Sequence, residues 1–556
     1  MIDRQMILFK TDTEDQAKPN TYTGIYSMHK YWSKKPYNIV RSFIYNYSKE
    51  NDIVLDPFCG SGISITESIF TRRKAFGIDI NPAAIFITRQ LLMKASPREL
   101  QYQFDQLAKK CRDKINSFYS VKRNDKVFVG THFLWEDENL KEVWCSNGGN
   151  RIGKIIDTPT EEDIKLARSF TYGDNPHYYP CKGFFHNPRI NAYRESKIYE
   201  LFTPRNLMAL SFLLNEINQI TEHKLRDIFR FCFTASVGQA SRMVFVVKRR
   251  GKTKGEFDKT QGKEVGSWVI GYWVPEESFE INVWNCFENR WRRILKAKKE
   301  QAEIEYTSTE ARNFHELRDE FCNTLLINDS AINALRSVPD NSIDYIITDP
   351  PHGDRIPYLE LSMMWNEWLQ FDVNYDDEIV ISDSKDRSKG KEEYHRLLNQ
   401  ALSEIERVLK PNHFFSLMFN SLDDDTWVNL IQHINSLMFD LHKIETIGYS
   451  ANSVVQDNRG TGLKTDFVFT FRKNIERHIN PIEIYSCKEH EKDFVMAISE
   501  CIKAGRNGKE TYEILNHLVI EFLKQGKFFK LSEALSLIRG CFQLENGKWL
   551  IPGGSM

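Results

Sequence analysis

The sequence predicts an α/β protein built on a doubly wound, mostly parallel sheet, with a large insertion and a small, mostly helical C-terminal domain. Three stretches predict it. Residues 53–55 give a short apolar strand pattern that runs straight into Asp56-Pro57-Phe58-Cys59-Gly60-Ser61-Gly62, and a helical pattern follows over residues 63–70. Residues 74–80 give a second strand pattern ending in Asp79 and Ile80, with Asn81 and Pro82 opening the next helix. Far downstream, the apolar and β-prone residues 345–348 lead directly into Asp349-Pro350-Pro351-His352. Short apolar runs that stop at glycine or proline turns and alternate with helical periodicity are the pattern of a layered α/β sheet.

Each stretch carries its own chemistry. Gly60 and Gly62 allow a tight turn and close backbone approach to a ligand at a helix N-terminus, where unpaired amides are available. Asp79 stands at the strand end where nucleoside-binding sheets carry an acceptor for ribose hydroxyls. In the third stretch neither proline can donate to a strand ladder, and Pro350 biases Asp349 toward an extended backbone. The Asp349 side chain and the Pro350 carbonyl then project from a stiff turn beyond the sheet, an arrangement that can hold an amino group between fixed acceptors. An isolated Asp-Pro-Pro reads more readily as a plain strand-to-loop junction, and it is the upstream glycine motif that reverses this.

Composition bounds the rest. A chain of 556 residues exceeds one hydrophobic core, so two to four domains are expected. Its 75 basic and 76 acidic residues nearly cancel, so contact with nucleic acid has to come from local patches. The stretch 1–20 is polar and no apolar run reaches the ~20 residues of a membrane span, so a soluble cytoplasmic protein is expected. Ten cysteines without a Cys-x-x-Cys pair fit reduced thiols. Cys145 and Cys181 with His177 and His186 are the group closest to a metal set, but each cysteine stands alone, and no metal is expected.

Along the chain, residues 22–37 are aromatic and basic (Tyr26, His29, Lys30, Tyr31, Trp32, Lys34, Lys35, Tyr37) and enter a helix primed by Pro36. That loop is either surface packing or part of a ligand site. Residues 97–119 read as a charged amphipathic helix. Residues 120–320 form an insertion with a helical pattern at 206–220 and a strand at 243–247. The strand feeds the basic run Lys248-Arg249-Arg250-Gly251-Lys252-Thr253-Lys254, with Trp268, Tyr272, Trp273 and Trp284 after it. A basic hairpin beside aromatics contacts phosphates and stacks on bases, or else is a solvated loop over a satellite core.

The sheet resumes with a strand at 325–327 before Asp329, a helix at 331–336 and the strand into Asp349. A helix at 358–368 flanks that motif, and residues 372–391 read as a long, charged, mobile loop. Strands at 413–419, 441–449 and 466–471 complete the sheet, the last two as an antiparallel pair around a loop at 450–464 that can close over substrate. Residues 474–556 read as separate: helices at 492–503, 512–524 and 531–539, then a small hairpin within 542–551. That order suits a winged helix, or equally a protein-contact or purely structural cap.

Asp56 to Gly62 resembles the S-adenosylmethionine loop of the DNA amino-methyltransferases, and Asp349-Pro350-Pro351-His352 resembles their catalytic Asp-Pro-Pro-Tyr. The resemblance covers roughly residues 22–100 and 320–473. It implies a Rossmann-like methyltransferase sheet, with residues 22–119 as its cofactor half and 321–473 as its catalytic half, after a polar lead-in at 1–21. Residues 120–320 become the candidate target-recognition domain and 474–556 the C-terminal domain. It implies S-adenosylmethionine as cofactor, held by Asp56, Pro57, Phe58, Cys59, Gly60, Ser61, Gly62, Asp79, Ile80 and Asn81, with Asp329 at the adenine amine.

It further implies methyl transfer to the exocyclic amine of a flipped base by Asp349, Pro350, Pro351 and His352. Adenine N6 is expected because the motif starts with Asp rather than Ser. Cytosine N4, an RNA base amine and a catalytically silent nucleic-acid-binding subunit are the alternatives. The implied partners are DNA and a cognate restriction or phage-defence nuclease, with no membrane. One position departs from the pattern: His352 stands where the family carries Tyr or Phe, and imidazole is smaller and titrates near neutrality.

Overall fold

A computed structural model describes residues 19–149, 154–248, 251–253, 256–258, 263–268, 271–353, 356–421, 423–448, 465–479, 481–505 and 508–552. Its central sheet has seven strands: β1 (Ile53–Asp56), β2 (Lys74–Ile78), β3 (Thr324–Ile327), β4 (Ile343–Thr348), β5 (Leu409–Phe419), β6 (Phe439–Gly448) and β7 (Thr465–Lys473). The spatial order is β3-β2-β1-β4-β5-β7-β6. The first five run parallel, and β7 lies antiparallel between β5 and β6. The sheet is the doubly wound α/β fold read from the sequence, including the terminal antiparallel pair. β1 and β4 are buried along their whole length, as strands covered by helices on both faces must be.

Four helices frame the carboxyl ends of β1, β2 and β4. They are α1 (Tyr37–Tyr47), α2 (Ile63–Phe70), α3 (Pro82–Leu92) and α4 (Tyr358–Trp368). Pro36 precedes α1 with φ −65°, the value its ring imposes and a helix start accepts. Pro82 likewise opens α3, where the Asn81 side chain caps the Ala83 amide.

The insertion is built around an antiparallel sheet that sequence reading reduced to one strand. Lys263–Trp268, Val244–Lys248, Glu277–Ile281, Lys126–Glu136, Asn139–Ser146 and Ile155–Asp157 follow one another across it. Helices Pro204–Asn218, His223–Val237 and Val283–Ala302 pack behind. Arg205 and Glu280, each 1% exposed and 2.6 Å apart, pair inside it. Three of the four aromatics expected beside the basic run are internal. Trp268, Tyr272 and Trp284 are buried, Trp268 meeting Trp32 edge to face at 6.0 Å; only Trp273 is exposed.

At the C-terminus, helices Glu491–Lys503, Thr511–Lys524 and Leu531–Cys541 precede a hairpin of Gln543–Glu545 and Lys548–Leu550. Phe494, Leu518 and Phe529 share one buried cluster with Trp427, Phe439 and Phe467 of the sheet layer. Among the described residues no helix is long and apolar enough to cross a membrane.

The segment 372–391, read from sequence as mobile, is instead pinned. Arg387, buried, reaches Glu360 of α4 at 3.0 Å and Glu378 at 2.6 Å, and Glu378 accepts from the Leu359 amide at 3.0 Å. Most of its charges are solvent-facing, as in a solvated loop, but Glu378, Arg387 and Lys389 are buried, and it is this minority that ties the segment down. The loop expected at 450–464 lies outside the described residues.

Candidate active site

The strand order reverses between β1 and β4, and open α/β sheets take ligands beyond the carboxyl ends at such a point. With Leu55 beside Ile346 in register, the loops leaving the two strands meet. Thr348 Oγ1 donates to Asp56 Oδ1 over 2.6 Å, joining the motifs directly. Asp56, Pro57, Phe58, Cys59, Gly60 and Ser61 line one cleft with Asp79, Ile80, Asn81, Asp349 and Pro351.

The glycine turn is held by the two aspartates. Asp56 accepts from the Phe58 amide at 3.0 Å, from Thr348 and from the Ser64 hydroxyl. Burial pushes its carboxyl up to about 6, against those hydrogen bonds. Its oxygens are thus committed to shaping the loop. Asp79 accepts from the Asn81 amide and the Gly60 amide, both at 2.8 Å, and burial pushes it up to about 7. Gly60 and Gly62 have φ of +50° and +76°. A Cβ on Gly62 would come within 2.4 Å of the Thr88 side chain, so Gly62 lets α2 and α3 approach rather than touching a ligand.

Asn81 is almost fully buried and works as a joint: its Nδ2 donates to Ser362 Oγ at 2.8 Å and to Tyr31 Oη at 3.2 Å, and its Oδ1 accepts from Asn366 at 3.1 Å. It fastens α3, which follows β2, to α4, which follows the Asp349 motif. Asp329 Oδ1 accepts from the Ser330 amide at 2.7 Å, and it is Ser330 and Ala331 that line the cleft. Burial drives the Cys59 thiol well above its ordinary range, which removes it as a nucleophile.

Asp349 follows β4 with its side chain 17% exposed. Its Oδ2 pairs with Lys35 Nζ at 3.0 Å. Its Oδ1 is buried and, with His352 Nε2 2.9 Å away but misaligned for donation, accepts no hydrogen bond among the described residues. Pro350 is buried behind it, and Tyr394 Oη donates to the Pro351 carbonyl at 2.7 Å, stiffening the turn. The His352 ring packs edge to face on Phe419 at 4.9 Å.

Sequence reading left the aromatic, basic loop before α1 between surface packing and a ligand site. Tyr31, Trp32, Ser33, Lys34 and Lys35 line the cleft. Burial, with Arg290 nearby, brings Lys34 down to about 7, and its Nζ donates to the carbonyls of Tyr26 at 2.9 Å and His29 at 2.7 Å. Tyr358, at the start of the helix expected beside the motif, lines the cleft; sequence reading missed residues 377–379 as cleft wall and Asp466 as the second partner of Lys35. Nothing local signals the Asp466 pairing, which depends on β7 entering between β5 and β6.

Of the basic run, Lys248 ends a strand and Lys252 lies in Gly251–Thr253; Arg249, Arg250 and Lys254 lie outside the described residues. Cys145 is buried and Cys181 exposed, and among the described residues no group of acidic, Cys or His side chains is placed to hold a metal.

Comparison with known proteins bears out the resemblance at the level of the family. The model of a DNA methylase family of N6/N4 type matches residues 8–90. The chain is 27% identical over 210 residues to the Type II methyltransferase M.MjaII of Methanocaldococcus jannaschii, spanning 37% of this chain and 38% of that protein. Among solved structures, one described as an rRNA methylase from Clostridium thermocellum is 8% identical over 78% of this chain and 96% of its own, with a TM-score of 0.24. A DNA modification methylase from Thermus thermophilus is 14% identical over 30% of this chain and 60% of its own, with a TM-score of 0.16.

Proposed function

We propose that this chain is an S-adenosylmethionine-dependent DNA methyltransferase acting on the exocyclic amine of a flipped base, adenine N6. The observation that carries the reading is the convergence of residues 56–61, Asp79 and Asp349 on one cleft at the strand reversal. The residues fit the cofactor. A left-handed glycine turn permits close approach, the Asp79 carboxylate is an acceptor for ribose hydroxyls, and Phe58, Ile80 and Val40 supply apolar wall.

The cofactor supplies an electrophilic sulfonium methyl; this chain's residues prepare the nucleophile. An exocyclic amine is poorly nucleophilic because its lone pair is delocalised into the ring. Asp349 and the Pro350 carbonyl accept its two hydrogens and draw it out of the ring plane, restoring the lone pair. The proton that the methylated amine has to give up would pass to the Asp349 carboxylate and from there to water. Positioning and a carboxylate beside the developing positive charge supply the acceleration. Asp349 Oδ1, buried and without a donor, is the acceptor such a step calls for. Flipping the base out of the duplex brings it to the cleft, with His352 at the ring-stacking position of the motif.

Transfer of labelled methyl to duplex DNA, single-stranded DNA and transfer RNA tests the reading. Label in DNA adenine is the expected result. Label confined to RNA, to cytosine or to no nucleic acid overturns the corresponding part.

A further inference from the structure

The pairing of Lys35 is not used by that mechanism. Its Nζ lies 2.6 Å from Asp466 Oδ2 and 3.0 Å from Asp349 Oδ2. The three side chains are 13%, 3% and 17% exposed, so all are largely withdrawn from water. The two carboxylates differ in role. Asp466 is the nearer and more deeply buried, at the start of β7 and away from the cleft lining, whereas Asp349 faces the cleft. Two carboxylates brought this close repel unless a cation lies between them, and a buried ion pair holds its geometry because breaking it strands a charge. Asp466 is therefore the anchor and Asp349 the group being held.

We propose that Lys35 is a positioning residue for methyl transfer: anchored on Asp466, it holds Oδ2 of Asp349 and so presents Oδ1 to the target amine. The inference rests on the reading of Asp349 as the amine's acceptor. The geometry divides the labour between the two oxygens. Oδ2 carries the ion pair, while Oδ1 has its acceptor capacity unmet among the described residues. A carboxylate oxygen offers two lone-pair directions, so Lys35 need not leave for the amine to bind. The sequence supplies rigidity behind the ammonium, since Pro36 follows immediately, its φ fixed by the ring, at the N-cap of α1.

Lys35→Met, Lys35→Arg and Asp466→Asn, assayed on duplex DNA beside cofactor calorimetry, test it. Lys35→Met keeps the stem and loses the charge. Its kcat should fall by about tenfold to a hundredfold, the scale of a small misplacement of a reacting group, with KM for DNA and cofactor affinity within about threefold. Lys35→Arg should recover most of kcat, and Asp466→Asn should lower kcat with the same sparing of cofactor affinity. Wild-type kcat in Lys35→Met overturns the proposal while leaving the function intact, and so does a loss of cofactor affinity equal to the loss of kcat, which would make Lys35 a cofactor ligand. If Lys35→Met does not fold, unchanged kcat in Asp466→Asn overturns it. A wild-type chain that transfers no methyl to DNA overturns the parent reading instead.

Discussion

The amide of Gly60 donates to Asp79 Oδ2 over 2.8 Å, so the turn that follows β1 is held by the residue that follows β2. This single bond ties the loop's conformation to the carboxylate assigned to the ribose. A change at Asp79 therefore acts on ligand and loop together.

The first prediction concerns pH. Burial raises Asp79 from 3.8 to about 7, so ionising it is unfavourable in the folded chain. The stability this group contributes is greatest below 3.8 and falls as pH rises toward about 7, after which it is constant. Hydroxyls donated to the ionised carboxylate offset that penalty, so cofactor affinity should strengthen from about pH 6 to about pH 8. Asp79→Asn should flatten this dependence in calorimetry, and Asp79→Ala should weaken binding at least tenfold, about 1.4 kcal/mol. Unchanged affinity in Asp79→Ala with an intact fold removes the assignment.

A second prediction uses the contact under the glycine turn. Gly62 has φ +76° and would place a Cβ 2.4 Å from Thr88. Gly62→Ala should cost about 1–3 kcal/mol in denaturant unfolding. Adding Thr88→Ala should restore part of this loss, the backbone strain remaining. A fully stable Gly62→Ala would mean that α2 and α3 are not packed this closely.

Arg387 gives a third. Removing its guanidinium leaves Glu360 and Glu378 buried without their cation. Arg387→Met should cost about 3–5 kcal/mol, the usual penalty for stranding a buried charge. It should also weaken cofactor binding, because Glu378 and its neighbours wall the cleft. Stability within experimental error of wild type would show segment 372–391 to be held by other contacts.

What the sequence made legible follows from how local each signal is. The strand, glycine turn and helix at residues 53–70, and the proline-stopped strand at β4, are encoded by neighbours in the chain. Their meeting at the cleft could be expected because a doubly wound sheet has one strand reversal. The insertion's antiparallel sheet was illegible for the opposite reason. Glu277–Ile281 and Lys126–Glu136 pair across 141 to 149 residues, and the strand Asn139–Ser146 is continuously buried only from Val143 to Ser146. The tryptophans misled because aromatics that stack on bases and aromatics that fill a core have the same sequence signature.

A fourth prediction concerns catalysis. Asp349→Ala should abolish methyl transfer while cofactor affinity stays near wild type, since the partner assigned to Asp349 is the target amine. Single-turnover transfer from labelled cofactor measures the first and calorimetry the second. A variant retaining more than about a tenth of wild-type turnover is incompatible with a positioning and charge-stabilising role of this size.

The last prediction concerns DNA contact. The strand Val244–Lys248 pairs antiparallel with Lys263–Trp268, Lys248 beside Lys263, and between them in sequence Gly251–Thr253 pairs with Glu256–Asp258 outside the insertion's main sheet. Lys248, Arg249, Arg250, Lys252 and Lys254 place five positive charges within seven residues there. With Trp268 turned inward against Trp32, and Tyr272 and Trp284 buried, only Trp273 of the aromatics expected beside this stretch is exposed, so phosphate contact is the part of the expectation to test first. Neutralising Lys248, Arg249 and Arg250 together should lower DNA affinity and flatten the log–log salt slope by about two to three units, at ~0.9 per phosphate contact. Cofactor affinity should be unchanged, because the basic run belongs to the insertion rather than to the central sheet. A triple variant with the parent's salt slope would make this a solvated loop and move the search for the DNA surface to the C-terminal helices.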